Sequence, residues 1–239
     1  MGTRLSGSAW VATVAIGAAC VLIRTALSVE VDPGSYQGRT EAAIKEFRAA
    51  VALEPNLEHG KALFAVCAHC HQADGGGSAD GTIPVIAGQH VSVLVKQLVD
   101  FRHDRRWNAR MQNALKKHEL NSSQDLLDVA AYAESLKRPV PRVLGAGDAA
   151  AQMEARRIYY RDCEGCHGRL AEGDLRTLRP RLAGQNYPYL LRQFIETAHR
   201  QRIGMDEDHV KRIGALSDAE REAVADYLSR LTPEFTSTN

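Results

Sequence analysis

Four cysteines and two histidines stand in the pattern that most directly indicates chemistry. Residues Cys67–His71 and Cys163–His167 both read C-x-x-C-H. On a helix, positions three apart lie on one face, so both thiols of a pair can reach the two vinyl groups of one porphyrin. The next histidine then points at the iron. The sequence therefore predicts two covalently bound c-type haems. The predicted thioether residues are Cys67, Cys70, Cys163 and Cys166, and the predicted iron ligands are His71 and His167.

Other uses of paired cysteines fit this pattern less well. One C-x-x-C alone could be a thioredoxin-like redox pair or half of a zinc site. A Cys₄ zinc site has no use for a histidine directly after each pair, and the 93-residue step from Cys70 to Cys163 exceeds the usual spacing of a zinc ribbon. The fifth cysteine, Cys20, lies in an apolar run near the N-terminus, so no cysteine is left over elsewhere.

The second axial ligand of each iron is predicted to be a methionine. Met111 and Met205 lie 40 and 38 residues after His71 and His167, respectively. Each copy thus places one methionine at an equivalent position in a predicted arginine-rich loop, which a chance core methionine would not explain. A methionine ligand raises the reduction potential and closes the iron to substrates, which favours electron transfer over catalysis.

Histidines downstream of these methionines are rival ligands. His118 and His209 lie seven and four residues after Met111 and Met205, and either could compete for its iron. The remaining candidates have no counterpart in the other copy and are interpreted as surface residues: His69, His90, His103 and His199.

Two prolines are predicted to act behind the haem histidines. Pro84 and Pro180 each follow their haem histidine by 13 residues. A turn there could offer a backbone carbonyl to the histidine Nδ1–H and so orient the ring, as outer contacts do at other metal sites. The alternative is that each proline simply ends a loop.

The chain repeats itself with an offset of 96 residues. Ala87-Gly88-Gln89 matches Ala183-Gly184-Gln185, and the prolines and haem motifs align at the same offset. Such similarity across positions of mixed chemistry indicates a duplicated domain. Each copy closes with an amphipathic helix that follows a capping sequence. The capping sequences begin at Ser122 and Ser217. With no credible run of alternating strands, the predicted fold is all-α, with two tandem domains.

Proline and glycine content sets the predicted boundaries. The stretch before the first copy contains an expected extra helix at 40–53, which is interpreted as packing or docking surface. The predicted units are a leader at 1–28, an extension at 29–58, a first haem domain at 59–138, a linker at 139–148 and a second haem domain at 149–239.

The leader is predicted to direct export. Arg4 precedes an apolar run from Ala9 to Ile23, and Arg24 closes it. A run of 15 residues is short for a bilayer span and suits a signal peptide, with cleavage favoured before Val29. An uncleaved membrane anchor is the alternative. Either leaves the rest of the chain in an oxidising compartment, soluble after cleavage or tethered to the membrane.

Composition excludes several classes of protein. Thirty basic and 29 acidic residues leave a net charge of +1, which does not indicate a nucleic-acid partner. The 44% hydrophobic content excludes a disordered chain and a polytopic membrane protein. Basic residues do cluster around Met111, among them Arg105 and Arg106. This patch is expected to face an acidic partner, and the alternative is an ordinary solvated face.

The haem motifs, loops and methionines described above resemble those of the dihaem class I cytochromes c of the cytochrome c4 type. The likeness runs from Gly60 to Leu231 and rests on both C-x-x-C-H motifs, both Pro…Ala-Gly-Gln loops, the two methionines and the closing helices. The resemblance implies two class I cytochrome c domains with His/Met iron that carry electrons in the periplasm. It also implies docking on membrane respiratory complexes such as a cytochrome bc complex or a haem–copper terminal oxidase.

Two positions depart from that family's pattern. Glycine usually follows the haem histidine, where Gly168 fits but Gln72 does not. Glycine also usually precedes the first haem cysteine by seven residues, where Gly60 fits but Arg156 does not. We therefore expect a looser helix crossing in the second domain.

Three functions are compatible with these residues. The favoured one is a non-enzymatic electron carrier that passes single electrons between respiratory partners. The alternatives are a haem subunit of a larger oxidoreductase and a dihaem enzyme such as a peroxidase, which would need an open or displaceable iron position.

Overall fold

The computed structural model describes residues 31–32, 36, 40–117, 120–202 and 204–232. The predicted leader and the rival ligand His118 lie outside these residues. Within them the chain is helical, and the β pairing consists of one isolated bridge between Asp174 and Arg179. The described residues contain no helix with both the length and the apolar character needed to cross a bilayer.

Ten helices are described, and the second half of the chain repeats the order of the first. The helices are α1 (Glu41–Val51), α2 (Leu57–His71), α3 (Val91–Arg102), α4 (Ala109–Lys117), α5 (Ser123–Ser135), α6 (Ala149–Asp162), α7 (Glu164–His167), α8 (Tyr187–Ala198), α9 (Glu207–Ala215) and α10 (Asp218–Arg230).

Each half builds its core around a crossing between its haem-motif helix and its closing helix. In the first half α2 crosses α5, and α3 packs on α5; in the second half α6 crosses α10, and α8 packs on α10. The apolar faces meet in separate cores, one containing Val95 and Leu126 and the other containing Ile158 and Leu228. The two halves therefore have the same arrangement of helices.

The closing helices α5 and α10 begin directly after their capping residues, Ser122 and Ser217. The Ser122 hydroxyl accepts a hydrogen bond from the Asp125 amide, and the Asp125 side chain accepts one from the Ser122 amide. Ser217 and Glu220 make the same reciprocal pair at α10. These bonds satisfy amide groups that have no partner within the helix, so both closing helices start at matching positions.

Helix α1 occupies the stretch that the sequence assigns to an extra helix. Thr40 caps its N-terminus, and Phe47 is fully buried in the first core. The Tyr36 ring lies 4.6 Å from the Phe47 ring, and its hydroxyl donates to the Asp100 carboxylate at 2.9 Å. This segment therefore enlarges the core of the first domain.

Candidate haem-binding sites

The first C-x-x-C-H motif forms the end of one continuous helix. Helix α2 begins after Asn56, whose side chain accepts from the His59 amide, and runs through Cys67 and Cys70 to His71. His71 is buried, whereas the Cys70 side chain is exposed. Burial raises the pKa of the half-buried Cys67 thiol to about 11, so the free thiol is neutral at neutral pH.

The second motif is built from two helices instead of one. Helix α6 ends at Asp162, Cys163 caps it, and the short α7 carries Cys166 and His167. As in the first motif, the histidine is buried and the second cysteine is exposed. The break lies between the core-packed part of the helix and the haem-binding turn.

Both haem histidines contact the carbonyl of the proline 13 residues downstream. His71 Nδ1 lies 3.0 Å from the Pro84 oxygen, and His167 Nδ1 lies 3.1 Å from the Pro180 oxygen. A proton on Nδ1 makes these hydrogen bonds and leaves Nε2 with a free lone pair. Burial lowers the pKa of both rings, which favours the neutral imidazole that metal ligation requires.

The residue after each haem histidine turns the chain sharply away from the helix. Gly168 has φ +80°, and Gln72 has φ +65°, in a region that residues with side chains rarely adopt. The chain then folds back, with the Gly77 amide bonded to the His71 carbonyl at 2.9 Å and the Gly173 amide bonded to the His167 carbonyl at 2.8 Å.

Met111 lies on the core-facing side of α4. Its amide donates to the Asn108 side chain at 3.1 Å, which fixes it in the first turn of the helix. The half-buried side chain packs on the first core, which also contains Leu115 one turn later. Met111 is thus part of a helix and not of the loop that the sequence predicts.

In the second domain the structure places His209 beside the haem histidine. Met205 is half-buried and lies one residue before Asp206, which caps α9. The His209 ring lies 6.2 Å from the His167 ring, measured between centroids, with 55° between the planes. Burial and the proximity of His167 lower the pKa of His209 to about 4.

The side chains present suit a covalently attached haem in each domain. Within the described residues all four motif cysteines are free thiols, and each pair combines one exposed and one partly buried side chain. Each pair precedes a buried imidazole whose Nδ1 is already bonded. His209 Nδ1 is a buried atom without a hydrogen-bond partner, so the second site also holds a polar group that the protein leaves unsatisfied.

Comparison with known proteins identifies both halves. Residues 57–137 match the family model "Cytochrome c", and residues 150–228 match the model "Cytochrome C oxidase, cbb3-type, subunit III". The chain is 32% identical to cytochrome c4 of Azotobacter vinelandii over 189 residues, covering 72% of this chain and 87% of the relative. This chain belongs to the cytochrome c4 family.

Other relatives agree with this assignment. Cytochrome c4 of Pseudomonas aeruginosa is 30% identical over 178 residues, covering 72% of this chain and 87% of the relative. A "Thiosulfate dehydrogenase electron acceptor" of Stutzerimonas stutzeri is 34% identical over 183 residues, covering 71% of this chain and 81% of that protein. Among solved structures, reduced cytochrome c4 from Pseudomonas stutzeri has a TM-score of 0.66 at 28% identity, covering 74% of this chain and all of that one.

These findings confirm the predicted fold and cofactor. The chain is an all-α dihaem cytochrome c4-type protein with two tandem cytochrome c domains and two covalently bound c-type haems. Its general role is electron transfer.

The duplicated Ala-Gly-Gln loops of this cytochrome join the two domains. The Gln185 side chain accepts from the Val85 amide and donates to the Val85 carbonyl, both at 2.8 Å. Gln89 makes the same pair of bonds with the backbone of Arg181, both at 2.9 Å. Because Val85 and Arg181 directly follow the two prolines, each domain holds the loop behind the other's haem histidine. The repeat marked these loops in the sequence, but not their role.

His90 also belongs to this interface, and its interpretation as a surface residue is wrong. The side chain is buried, and its Nε2 donates to the Glu172 carbonyl of the second domain at 2.8 Å. At the matching position Asn186 is fully buried, and its side-chain oxygen accepts from the Arg142 amide at 2.8 Å. The sequence could not reveal this role, because the contact joins residues 82 positions apart.

Two arginines of the basic patch expected around Met111 are turned inward. Arg105 is buried and donates to the Gly204 carbonyl at 2.8 Å. Arg106 donates to the Tyr189 hydroxyl and the Gln193 side chain of α8, both at 2.9 Å. The expectation that these two arginines face an acidic partner is therefore wrong, because they are used to join the domains.

Proposed function

We propose that this cytochrome passes single electrons between respiratory redox partners in the periplasm. The observation that carries the proposal is the pair of equivalent haem sites, His71 with Pro84 and His167 with Pro180, in two domains that share a hydrogen-bonded interface. Each bound haem supplies a one-electron redox centre. The proline carbonyls orient the imidazoles, burial favours their neutral form, and the interface fixes the two sites relative to each other.

The iron ligands favour a carrier over an enzyme. Cys67, Cys70, Cys163 and Cys166 would form the thioethers, with His71 and His167 on the proximal side. Met111 would complete the coordination of the first iron as its sixth ligand. For the second iron the sequence favours Met205, while His209 lies beside His167 in the structure. A ligand of either kind leaves no open iron position, which is the condition for electron transfer without substrate binding.

The proposed partners are membrane respiratory complexes, such as a cytochrome bc complex as donor and a haem–copper terminal oxidase as acceptor. The family likeness supports this assignment, and the net charge of +1 does not favour nucleic acid. Contact with the membrane would come through these partners or through an uncleaved N-terminal anchor.

A haem subunit of a larger oxidoreductase is the second candidate. Its support is the 34% identical "Thiosulfate dehydrogenase electron acceptor" and the likeness to a thiosulfate dehydrogenase structure from Marichromatium purpuratum, with a TM-score of 0.65. This chain covers only 42% of that second protein. The haem chemistry would be the same, but the partner would be a dedicated dehydrogenase.

The test is to produce the full chain with haem maturation in a bacterial periplasm. The carrier function predicts two covalent haems per chain by mass, uptake of two electrons, and no carbon monoxide binding to the reduced protein. It also predicts rapid, salt-dependent reduction by a purified bc complex. Carbon monoxide binding with peroxide turnover would support an enzyme instead, and stoichiometric copurification with a dehydrogenase would support the subunit function.

A further inference from the structure

Helices α4 and α9 occupy the same place in the two domains and share their internal register. Both have nine residues. Asn108 precedes α4 and accepts from the Met111 amide at 3.1 Å, while Asp206 precedes α9 and accepts from the His209 amide at 3.1 Å. Met111 and His209 are therefore each the third residue of their helix, held by the same capping bond.

The rest of each helix supports this alignment. Leu115 and Ile213 follow Met111 and His209 by four residues, and both are buried in the cores of their domains. Residues four apart lie on one face of a helix, so Met111 and His209 are on the core-facing side. Met205 instead precedes the cap, at the position that Trp107 occupies before α4.

Counting along the chain conceals this equivalence. Five residues separate α4 from α5, but only two separate α9 from α10. Distances measured back from the closing helices therefore misalign the two copies by three residues, and they pair Met111 with the region of Met205. The helix caps remove this offset and pair Met111 with His209.

The position of the His209 ring suits an axial ligand. A metal–imidazole bond is about 2 Å long, so two imidazoles on opposite sides of one iron have their ring centres roughly 6 Å apart. The centroids of His167 and His209 are 6.2 Å apart. In the part of the chain that the structure describes, the buried Nδ1 of His209 has no hydrogen-bond partner.

We infer that His209, and not Met205, is the sixth ligand of the second haem iron, whereas Met111 ligates the first. The inference rests on the proposed dihaem function and replaces the symmetric His/Met arrangement by two different sites. Because a methionine ligand raises the potential of a haem, the second haem has the lower potential. With both haems bound, one electron would pass from the second haem, which would be oxidised, to the first, which would be reduced, with no bond broken. The different ligands of the two irons would give this transfer a direction.

The experiment compares ferric spectra of the full-length holoprotein and three variants. We expect the wild type to show a sulfur-to-iron charge-transfer band from one haem only, together with the electron paramagnetic resonance signal of a bis-histidine haem. His209→Met should double the band, remove the bis-histidine signal and raise the lower of the two reduction potentials. Met111→Leu should abolish the band.

Met205→Leu is the matched control and should leave both spectra and both potentials unchanged. A wild-type band from two haems that is halved by Met205→Leu would overturn the inference. If His209→Met does not fold, the wild type and Met205→Leu still decide, since neither changes His209. A chain carrying one covalent haem by mass would overturn the proposed dihaem function itself, which separates that failure from binding of Met205 to an attached haem.

Discussion

The two haem domains share a motif and a helix order, yet they position the haem-binding turn differently. In the first domain α2 and α5 cross so closely that a Cβ added to Gly60 would lie 2.0 Å from the Asp128 carbonyl oxygen. In the second domain Arg156 stands at the matching position with its guanidinium over the Tyr160 ring, and the packing of α6 on α10 is less extensive.

The helix break at Cys163 accompanies this difference. Where the crossing is close, one helix runs unbroken to His71; where it is less extensive, a separate turn carries His167. The haem motif therefore requires its local turn and its proline carbonyl, which both domains retain. It does not require one particular helix crossing.

Both domains also tie the closing helix to the start of the haem-motif helix through a buried carboxylate, at different positions. Asp128 of α5 accepts from the Asn56 amide at 2.7 Å and lies 2.8 Å from His59 Nδ1. Asp226 of α10 accepts from the Gly147 amide at 2.9 Å and from Gln152 at 2.6 Å. The same packing problem has two solutions, which indicates that this contact changed after the duplication.

The largest effect is expected when Gly60 of the first domain is replaced by arginine, the residue that the second domain has at the matching position. Gly60→Arg should lower the free energy of unfolding of the first domain by about 3 kcal/mol or more, because a side chain there must push α5 away. Denaturant unfolding followed by circular dichroism measures this loss. Gly214→Ala in α9 is the control. Its added Cβ meets no atom within 4 Å, so this variant should have a free energy of unfolding about 0.5 kcal/mol higher than the wild type. A Gly60→Arg loss below about 1 kcal/mol would contradict the close crossing.

The interface glutamines should differ in their contributions. Gln185→Ala should cost about 2 kcal/mol, because it leaves the buried amide and carbonyl of Val85 without partners. Gln89→Ala should cost about 1 kcal/mol, since its bonds to Arg181 are only partly buried. Equal losses in urea unfolding of the two variants would show that the interface is energetically symmetric.

The turn after the first haem motif should improve when it copies the second. Gln72→Gly should raise the free energy of unfolding by about 1 kcal/mol, because it relieves a positive φ that disfavours a side chain. Gly168→Ala should destabilise the second domain, because φ at this position is +80°, a value that disfavours a side chain. Thermal unfolding of both variants measures the two shifts, and a loss for Gln72→Gly would contradict the strain.

The smallest expected effect concerns pH. Burial, followed by the charge of Arg181, lowers the pKa of His90 in the folded protein. The unfolded chain therefore takes up the proton more readily, so stability is complete above about pH 6.5 and falls as the pH drops through the window below it. His90→Asn introduces the residue found at the matching position, Asn186, and should reduce the dependence of the free energy of unfolding on pH. An unchanged slope in unfolding measurements across this range would exclude His90 as a source of acid sensitivity.

Much of the fold followed from patterns that act over short distances. The haem motifs, the capping boxes at Ser122 and Ser217, and the 96-residue repeat each depend on residues close in sequence, and the structure has helices where these patterns place them. The contacts of Pro84 and Pro180 with the haem histidines were also foreseen, because both copies place them at the same spacing.

The residue contacts across the domain interface could not be predicted from local sequence patterns. Arg105 and Arg106 look like a solvated charge cluster in the sequence, and His90 looks like a surface histidine, because nothing local distinguishes a buried polar contact from an exposed one. Met111 and Met205 appeared equivalent because spacing counts residues, whereas helix register is set by caps such as Asn108 and Asp206.

The sequence alone determined the cofactor and its attachment, because thioether formation needs only two thiols and a histidine at fixed local spacing. Tertiary structure decided which side chain faces His167, which arginines are buried and how the two domains hold each other. These features depend on where separate helices meet, and burial and hydrogen bonding between distant residues are settled only when the helices pack.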